Sequence, residues 1–378
     1  MKKVIYLAHY DIPNRATPRY RSAPACAKID YISETISDLG YDIELISASN
    51  THADSCPHEE INIAENFKIT FLKALRRKNN KLSRIISTLH FNFNLLLQCL
   101  KRVKNSDTLI VYHSLALMWL VKILKKVKKI KLILEVEEIY ADVINDSRIR
   151  NKELNYFRIA DSYLFCSDVL KDLVNTDNKP AAVIYGTYKV EPDRNVKRND
   201  GKIHLLYAGT FSAKKGGAWI AMDVAPYLSE KYHIHILGNV NSYTLYNVQK
   251  RLNAISDSSS ATITYDGFLS GEEYIRFVQS CDIGLSTQNP DAAFNDTSFP
   301  SKVLSYMSNG LRVVSANIKV LEESKLDTYI NYYKSNSPSA IADTINCIDF
   351  SLPYDSRAVV SELDQTFKSE ISSLLYYE

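Results

Sequence analysis

The chain has 378 residues, of which 46% are hydrophobic and 24% charged, with a formal net charge of +3. That balance excludes a disordered or fibrous protein, and the length suits two domains of ~150–200 residues better than one core. Six scattered cysteines without a CxxC pair argue against a zinc site or a disulfide framework and for a reducing cytosol. No run approaches the ~18 uncharged apolar residues that a membrane span needs.

In chain order, Val4-Ile5-Tyr6-Leu7 opens as a buried strand. Its apolar run stops at His9, too short for the core of a signal peptide. Ala25 to Leu39 repeats apolar residues every three or four, as a helix does. Strands follow at Ile43–Ile46, Leu109–Tyr112, Leu132–Leu134, Tyr163–Phe165 and Ala182–Ile184. Between them, Leu82–Lys104 and Trp119–Lys131 mix apolar and basic residues at helical spacing. Lys73 to Lys104 holds nine Lys/Arg and no acid, and Trp119 to Lys131 adds six Lys. These segments read either as solvated helix faces or as a patch, over 73–131, for an anionic membrane surface. No finger, RRM or helix-turn-helix pattern accompanies the charge, so nucleic acid is not an expected partner.

After Gly186 the sequence turns polar, and 187–200 reads as a linker. A second series then runs through His204–Ala208, Ile234–Leu237, Thr262–Tyr265, Ile283–Ser286 and Arg312–Ser315, with helical patterns at Trp219–Lys231 and Glu272–Gln279. The alternation implies α/β architecture: two doubly wound, Rossmann-like domains over 1–186 and 201–355, facing a central cleft. Residues 356–378 are expected as a helix packing back on the first domain. Chemistry is expected just beyond the carboxyl ends of the strands.

Two segments there carry the strongest signals. Tyr207-Ala208-Gly209-Thr210-Phe211-Ser212-Ala213-Lys214-Lys215-Gly216-Gly217 ends a strand in glycine and delivers Lys-Gly-Gly at a helix start. Glycines admit a phosphate to the backbone, and the lysine adds charge; a tight turn with a surface lysine has the same pattern. In Phe294-Asn295-Asp296-Thr297-Ser298-Phe299-Pro300-Ser301-Lys302, Pro300 marks a first helical turn behind Ser298 as N-cap. Ser301 and Lys302 then share that turn, where a lysine opposes the helix dipole and an anion would offset it.

The order Gly209…Lys215-Gly216, Gly238-Asn239, Asp266-Gly267-Phe268, Cys281-Asp282-Ile283-Gly284-Leu285 and Phe299-Pro300-Ser301-Lys302…Tyr306-Met307…Gly310…Val313-Val314 resembles the donor domain of glycosyltransferase family 4. It is most similar to the members of bacterial surface-polysaccharide assembly. In the first half, Ala160-Asp161-Ser162…Ser167 looks like the family's "AD…S" strand. The resemblance implies a GT-B fold and a retaining, metal-independent transfer needing no cofactor, from a UDP- or GDP-linked sugar to a saccharide or lipid-linked acceptor. It implies a donor site of Gly209, Thr210, Lys215, Gly238, Asn239, Ser298, Ser301 and Lys302. The sequence departs from the family in Thr210, where an arginine is usual, and in Thr297 and Ser305, which hold the places of two glutamates. That departure keeps open a catalytically silent homologue acting as a scaffold in an assembly complex.

In the first half, His113 closes a strand, either to bond the donor sugar or as a satisfied structural group. Glu137 and Glu138, beside Glu135, read as acceptor-binding or proton-accepting carboxylates, or as an acidic helix start. Arg15, Arg19 and Arg21 stand where the family has a glycine-rich loop; arginine suits bidentate phosphate contacts, and surface arginines on a mobile loop have the same pattern. The resemblance implies a cytoplasmic protein, peripheral on the inner face of the cell membrane.

Overall fold

A computed structural model of the chain describes residues 3–13, 15–16, 18–51, 53–75, 80–144, 146–211, 217–290, 295 and 297–376, with the backbone alone at 82–84. The chain forms two compact units, Met1–Thr187 with Gln365–Glu378, and Tyr188–Asp364.

The first unit contains strands β1 (Lys3–Ala8), β2 (Asp42–Ser47), β3 (Ser55–Cys56), β4 (Glu59–Ala64), β5 (Phe67–Phe71), β6 (Ala74–Leu75), β7 (Thr108–Tyr112), β8 (Lys131–Val136), β9 (Ser162–Phe165) and β10 (Ala181–Val183). Eight form one sheet in the order β10-β9-β8-β7-β1-β2-β5-β4, while β3 and β6 pair separately. All neighbours in the large sheet are parallel except β4 and β5. Strands covered on both faces read as unbroken apolar runs, and Val4–Ala8, Leu109–Val111 and Leu132–Leu134 are all buried. The sequence reading did not place β3–β6. The edge strand β4 is mostly exposed and interleaves Glu59, Glu60 and Asn62 with Ile61 and Ile63, so it lacks such a run. Helices α1 (Ala23–Asp38), α2 (Lys81–Arg102), α3 (Met118–Val127), α4 (Tyr140–Val143), α5 (Ser147–Phe157) and α6 (Asp168–Val174) connect the strands.

The second unit has one six-stranded parallel sheet, built from β11 (Ile203–Ala208), β12 (Tyr232–Leu237), β13 (Thr262–Gly267), β14 (Ile283–Ser286), β15 (Arg312–Ala316) and β16 (Ile330–Tyr333). Their order is β13-β12-β11-β14-β15-β16. Among its helices are α7 (Gly217–Asp223), α8 (Ser242–Ser256), α9 (Gly271–Gln279) and α10 (Ser301–Ser308). The expected helix to Lys231 stops at Asp223, and a short 3-10 turn at Ala225–Tyr227 carries Pro226, whose ring and missing N–H interrupt an α-helical ladder.

The segment read as a linker is strapped to the second unit. Glu191 N–H donates to Ser308 O at 3.0 Å, Arg194 N–H to Gln279 Oε1 at 2.8 Å, and Lys197 bonds Cys281 O. Polar composition marked its lack of regular structure, while its backbone and side-chain groups find partners on the fold. The last helix spans Ser356–Tyr376. Ser356 Oγ donates to Met307 O at 2.8 Å within the second unit, whereas Phe367 and Tyr376 pack on Tyr31 and Tyr41 of the first. No described helix is long and apolar enough to cross a membrane.

Candidate functional site

In the second unit, strand order reverses between β11 and β14, and doubly wound sheets bind ligands beyond the carboxyl ends at such a point. β11 runs into Gly209 there. A Cβ on Gly209 would stand 3.1 Å from Lys302 Nζ and 3.0 Å from Tyr207 Oη. Lys302 Nζ also lies 4.1 Å from the Tyr207 ring centroid, a cation–π contact. Lys302 is thus brought beside the glycine, although 93 positions separate them in the chain. The backbones here are in close contact: a Cβ on Gly238 would overlap Gly209 O, and one on Gly217 would overlap Thr287 O. Thr287 Oγ1 also donates to Gly217 O at 2.7 Å, fixing the start of α7 to the end of β14.

Lys302 is aimed by α10, and α10 is pinned through its last turn. Tyr306, fully buried, accepts from Ala208 N–H at 2.9 Å and donates to Leu285 O at 3.4 Å, joining the helix to β11 and β14. At the C-terminus, Gly310 N–H donates to Met307 O and Leu311 N–H to Tyr306 O. With Gly310 at φ +84°, that pattern is a Schellman cap.

Several expected donor residues are placed differently. Ser298 is not the N-cap: Pro300 holds that position with ψ 100°, and its carbonyl accepts from Val303 N–H at 3.0 Å. Proline has no N–H to offer and fits the turn just before the first helical residue; Ser298 remains two residues outside, partly buried. Ser301 is the exposed first residue of α10 and Lys302 the second. Thr210 and Asn239 are exposed, and Thr210 O accepts from Tyr207 OH at 3.2 Å. Ser305 Oγ pairs with Tyr274 OH at 3.2 Å. The expectation for Lys215 lies outside the described residues.

In the first unit the order reverses between β1 and β7. Beyond β1, Arg19 is corrected from phosphate ligand to structural anchor. It is 2% exposed and donates to the carbonyls of Ser49 (3.0 Å), Pro57 (3.2 Å) and Leu72 (2.6 Å), while Asp11 Oδ2 accepts from its N–H at 2.6 Å. Three carbonyls on a guanidinium tie the loop to the sheet and leave no fork for a ligand. Arg15 pairs with Asp11 and Glu59 and lies 3.9 Å over the Phe71 ring; Arg21 is exposed.

His113, beyond β7, is 1% exposed and also corrected. Its Nε2 lies 2.6 Å from Glu153 Oε1, among the rings of Tyr140, Tyr156 and Phe157. Glu153 further accepts from the N–H groups of Tyr140 and Ala141, both at 2.9 Å, and so caps α4. This is a buried histidine held through Nε2, while its Nδ1 has no hydrogen-bond partner among the described residues.

Beyond β8, Glu137 forms an ion pair with Lys28 of α1, and Lys28 Nζ lies 4.0 Å from Glu135 Oε1. Tyr6 OH donates to Glu135. Glu135 is wholly buried, and burial together with the charge of Glu137 pushes its carboxyl up to about 8, against the pull of Lys28 and Tyr6. Sequence reasoning singled out Glu137 and Glu138 but missed Lys28 and Tyr6, which only the sheet brings to them. Glu138 is partly buried beside Tyr140, whose hydroxyl it pushes up after burial does so.

The chain matches no protein-family model and no curated protein sequence. Solved structures do match over their whole length. An OtsA apo structure superposes with a TM-score of 0.70 at 11% identity, covering 100% of both chains. An E. coli structure described as trehalose-6-phosphate bound with UDP-2-fluoro glucose gives 0.69 at 10% identity, again with 100% of each chain covered. Anabaena HepE in complex with UDP gives 0.66 at 12% identity and 99% coverage of both. The fold is therefore GT-B, each unit a doubly wound, Rossmann-like α/β domain.

Proposed function

We propose that this chain is a retaining glycosyltransferase of the family 4 kind. It takes a sugar from a UDP- or GDP-linked donor and passes it to a saccharide or lipid-linked acceptor in capsule, O-antigen or exopolysaccharide assembly. The observation that carries the reading is the ammonium of Lys302 beside Gly209 at the switch point of the second unit. There the donor diphosphate would meet Gly209, Thr210, Gly238, Asn239, Ser301 and Lys302, with Lys215 adding charge. A fixed cation at the leaving diphosphate stabilises the charge that develops as the glycosidic bond breaks, without a metal at that point. Glu137, Glu138, Arg15 and Arg21 are the acceptor-side candidates. UDP and UDP-2-fluoro glucose in the neighbouring structures favour a uridine nucleotide.

Calorimetry with UDP, GDP and uridine tests the donor site. A cation and a phosphate ~4 Å apart interact by about 4 kcal/mol at an effective dielectric of ~20. After desolvation, about 1.5–3 kcal/mol remains, so Lys302→Met should weaken diphosphate binding ~10–150-fold and leave uridine unaffected. Binding of neither nucleotide, or equal binding by the variant, sinks the assignment. The silent-scaffold reading rests on Thr297 and Ser305 in the glutamate places. Nucleotide binding with no turnover of any nucleotide sugar would favour it.

The membrane reading rests on α2. Ile85, Ile86, Leu89, Phe93 and Leu97 are 48–63% exposed and recur along one helix face, while Phe91, Leu95 and Cys99 are buried on the other. Not all the basic residues are available: Arg102 pairs with Glu44 and Glu60, and Lys125 with Asp161. Lys101, Lys104, Lys122, Lys126 and Lys129 are exposed on or beside α2 and α3. An apolar face edged by lysine fits an anionic leaflet, at about 1 kcal/mol per basic residue. Sedimentation with anionic vesicles should exceed that with neutral ones and fall for Leu89→Ser/Phe93→Ser; equal sedimentation of the parent with both refutes it.

A further inference from the structure

Three imidazoles meet on one face of the second unit's sheet. In the parallel ladders, His204 lies opposite His233, and His235 opposite Thr264. Residues two apart on a strand share a face, as do paired residues on neighbouring strands. His204, His233, His235, Thr264 and Asp266 therefore rise together, with Phe277 of α9 edge-on to His235 at 5.2 Å between ring centroids.

Two carboxylates set the tautomers. Asp200 Oδ1 lies 3.0 Å from His204 Nε2, and Asp266 Oδ2 lies 3.1 Å from His235 Nδ1. An ionised carboxylate only accepts, so each of those nitrogens carries its ring's proton. The opposite nitrogens, His204 Nδ1 and His235 Nε2, then face each other with lone pairs at 3.0 Å. Two lone pairs at that distance repel unless a cation serves both. A shared proton would need only this pair. The third imidazole, His233, stacks on His235 at 3.9 Å, and one nitrogen from each of the three rings lies within 4.8 Å of the others. Tetrahedral zinc with Zn–N of ~2.0–2.1 Å places its nitrogens about 3.3 Å apart, close to the 3.0 Å between His204 Nδ1 and His235 Nε2, with the His233 nitrogen within 4.8 Å of both. His204 and His235 are buried, whereas His233 is partly exposed and the Asp200 side chain 51% exposed, which provides a route from solvent. The nearby cation Lys202 is held by Thr262 Oγ1 at 2.7 Å.

We infer that His204, His233 and His235 bind a divalent transition-metal ion of the zinc class, with Asp200 and Asp266 orienting the imidazoles. Imidazole suits such ions over calcium or magnesium, and a carboxylate behind a ligating histidine is the usual supporting contact. His204 sits near the start of β11 and Gly209 after its end, so this site is separate from the donor candidate and is read by metal binding rather than by turnover.

The test uses the full chain stripped with a chelator and titrated with Zn2+ in a calorimeter. A single ion should bind per chain. Asp266→Asn should weaken binding about 10–100-fold, His235→Gln should abolish it, and His58→Gln, outside the cluster, should bind as the parent does. In case the core variants fail to fold, the imidazole nitrogen resonances of the unmutated chain give a second readout, and those of all three histidines should shift on adding Zn2+. Absence of stoichiometric binding overturns the inference. So does binding by folded His235→Gln that equals the parent's, or binding that leaves those resonances unmoved.

Discussion

Tyr306→Phe removes one oxygen from the peg that holds the Lys302 helix. In the native fold that oxygen accepts from Ala208 N–H at 2.9 Å and donates to Leu285 O at 3.4 Å. The second bond is long and adds little. The first satisfies the last amide of β11, beside a ring that is fully buried. Leaving that amide without its partner costs about 1–2 kcal/mol. For a unit of this size each kcal/mol moves Tm by ~2–4 °C, so the variant should lose about 2–8 °C in the transition of the second unit. Hydrogen exchange should localise the effect, with the Ala208 amide losing protection while amides of the first unit keep theirs. Nucleotide affinity should fall with it, because α10 is no longer tied to the strand that ends at Gly209. An unchanged Tm together with an unchanged Ala208 amide would refute the peg.

The remaining predictions concern the first unit. Because burial raises the Glu135 carboxyl to about 8 in the fold, against ~4.3 when unfolded, the native state holds a proton that the unfolded chain releases between those values. Its contribution to stability is complete below the unfolded value and is lost as pH rises through about 8. Urea midpoints at about pH 6 and pH 9 should show that decline in the parent, and Glu135→Gln, which keeps the neutral shape, should flatten it; an identical slope in both refutes the shift. Arg19→Ala strips the buried carbonyls of Ser49 and Leu72, and the more exposed one of Pro57, of their donor and should cost about 2–4 kcal/mol in urea unfolding. A loss under ~1 kcal/mol would return Arg19 to the list of ligand candidates.

Much of the fold was legible because parallel strands covered on both faces must be continuously apolar. Val4–Leu7, Leu109–Val111, Ile234–Leu237 and Val313–Val314 therefore announce themselves, and so do the glycine turns beyond them. The edge hairpin at Glu59–Phe71 was not legible, since half of its side chains face water and alternate in character. At the site, Gly209 and Lys302 were each readable as local signals, but whether they meet depends on β11 and β14 being neighbours. The same holds where reading failed. Arg19 looked like a phosphate ligand because composition shows a charge and not the three carbonyls around it. His113 could be read either way because Glu153, which bonds it, lies forty residues away.

Cysteine spacing argued against a metal, and it is blind to His204, His233 and His235, which sheet register alone brings together. Thus the sequence by itself determined the buried parallel strands of the two sheets and the positions just past them, because burial and turn geometry are short-range demands. Only the tertiary structure decided which charges find partners, because Lys28–Glu137, His113–Glu153 and His204–His235 are contacts between residues 31 to 109 positions apart, and no local pattern records them.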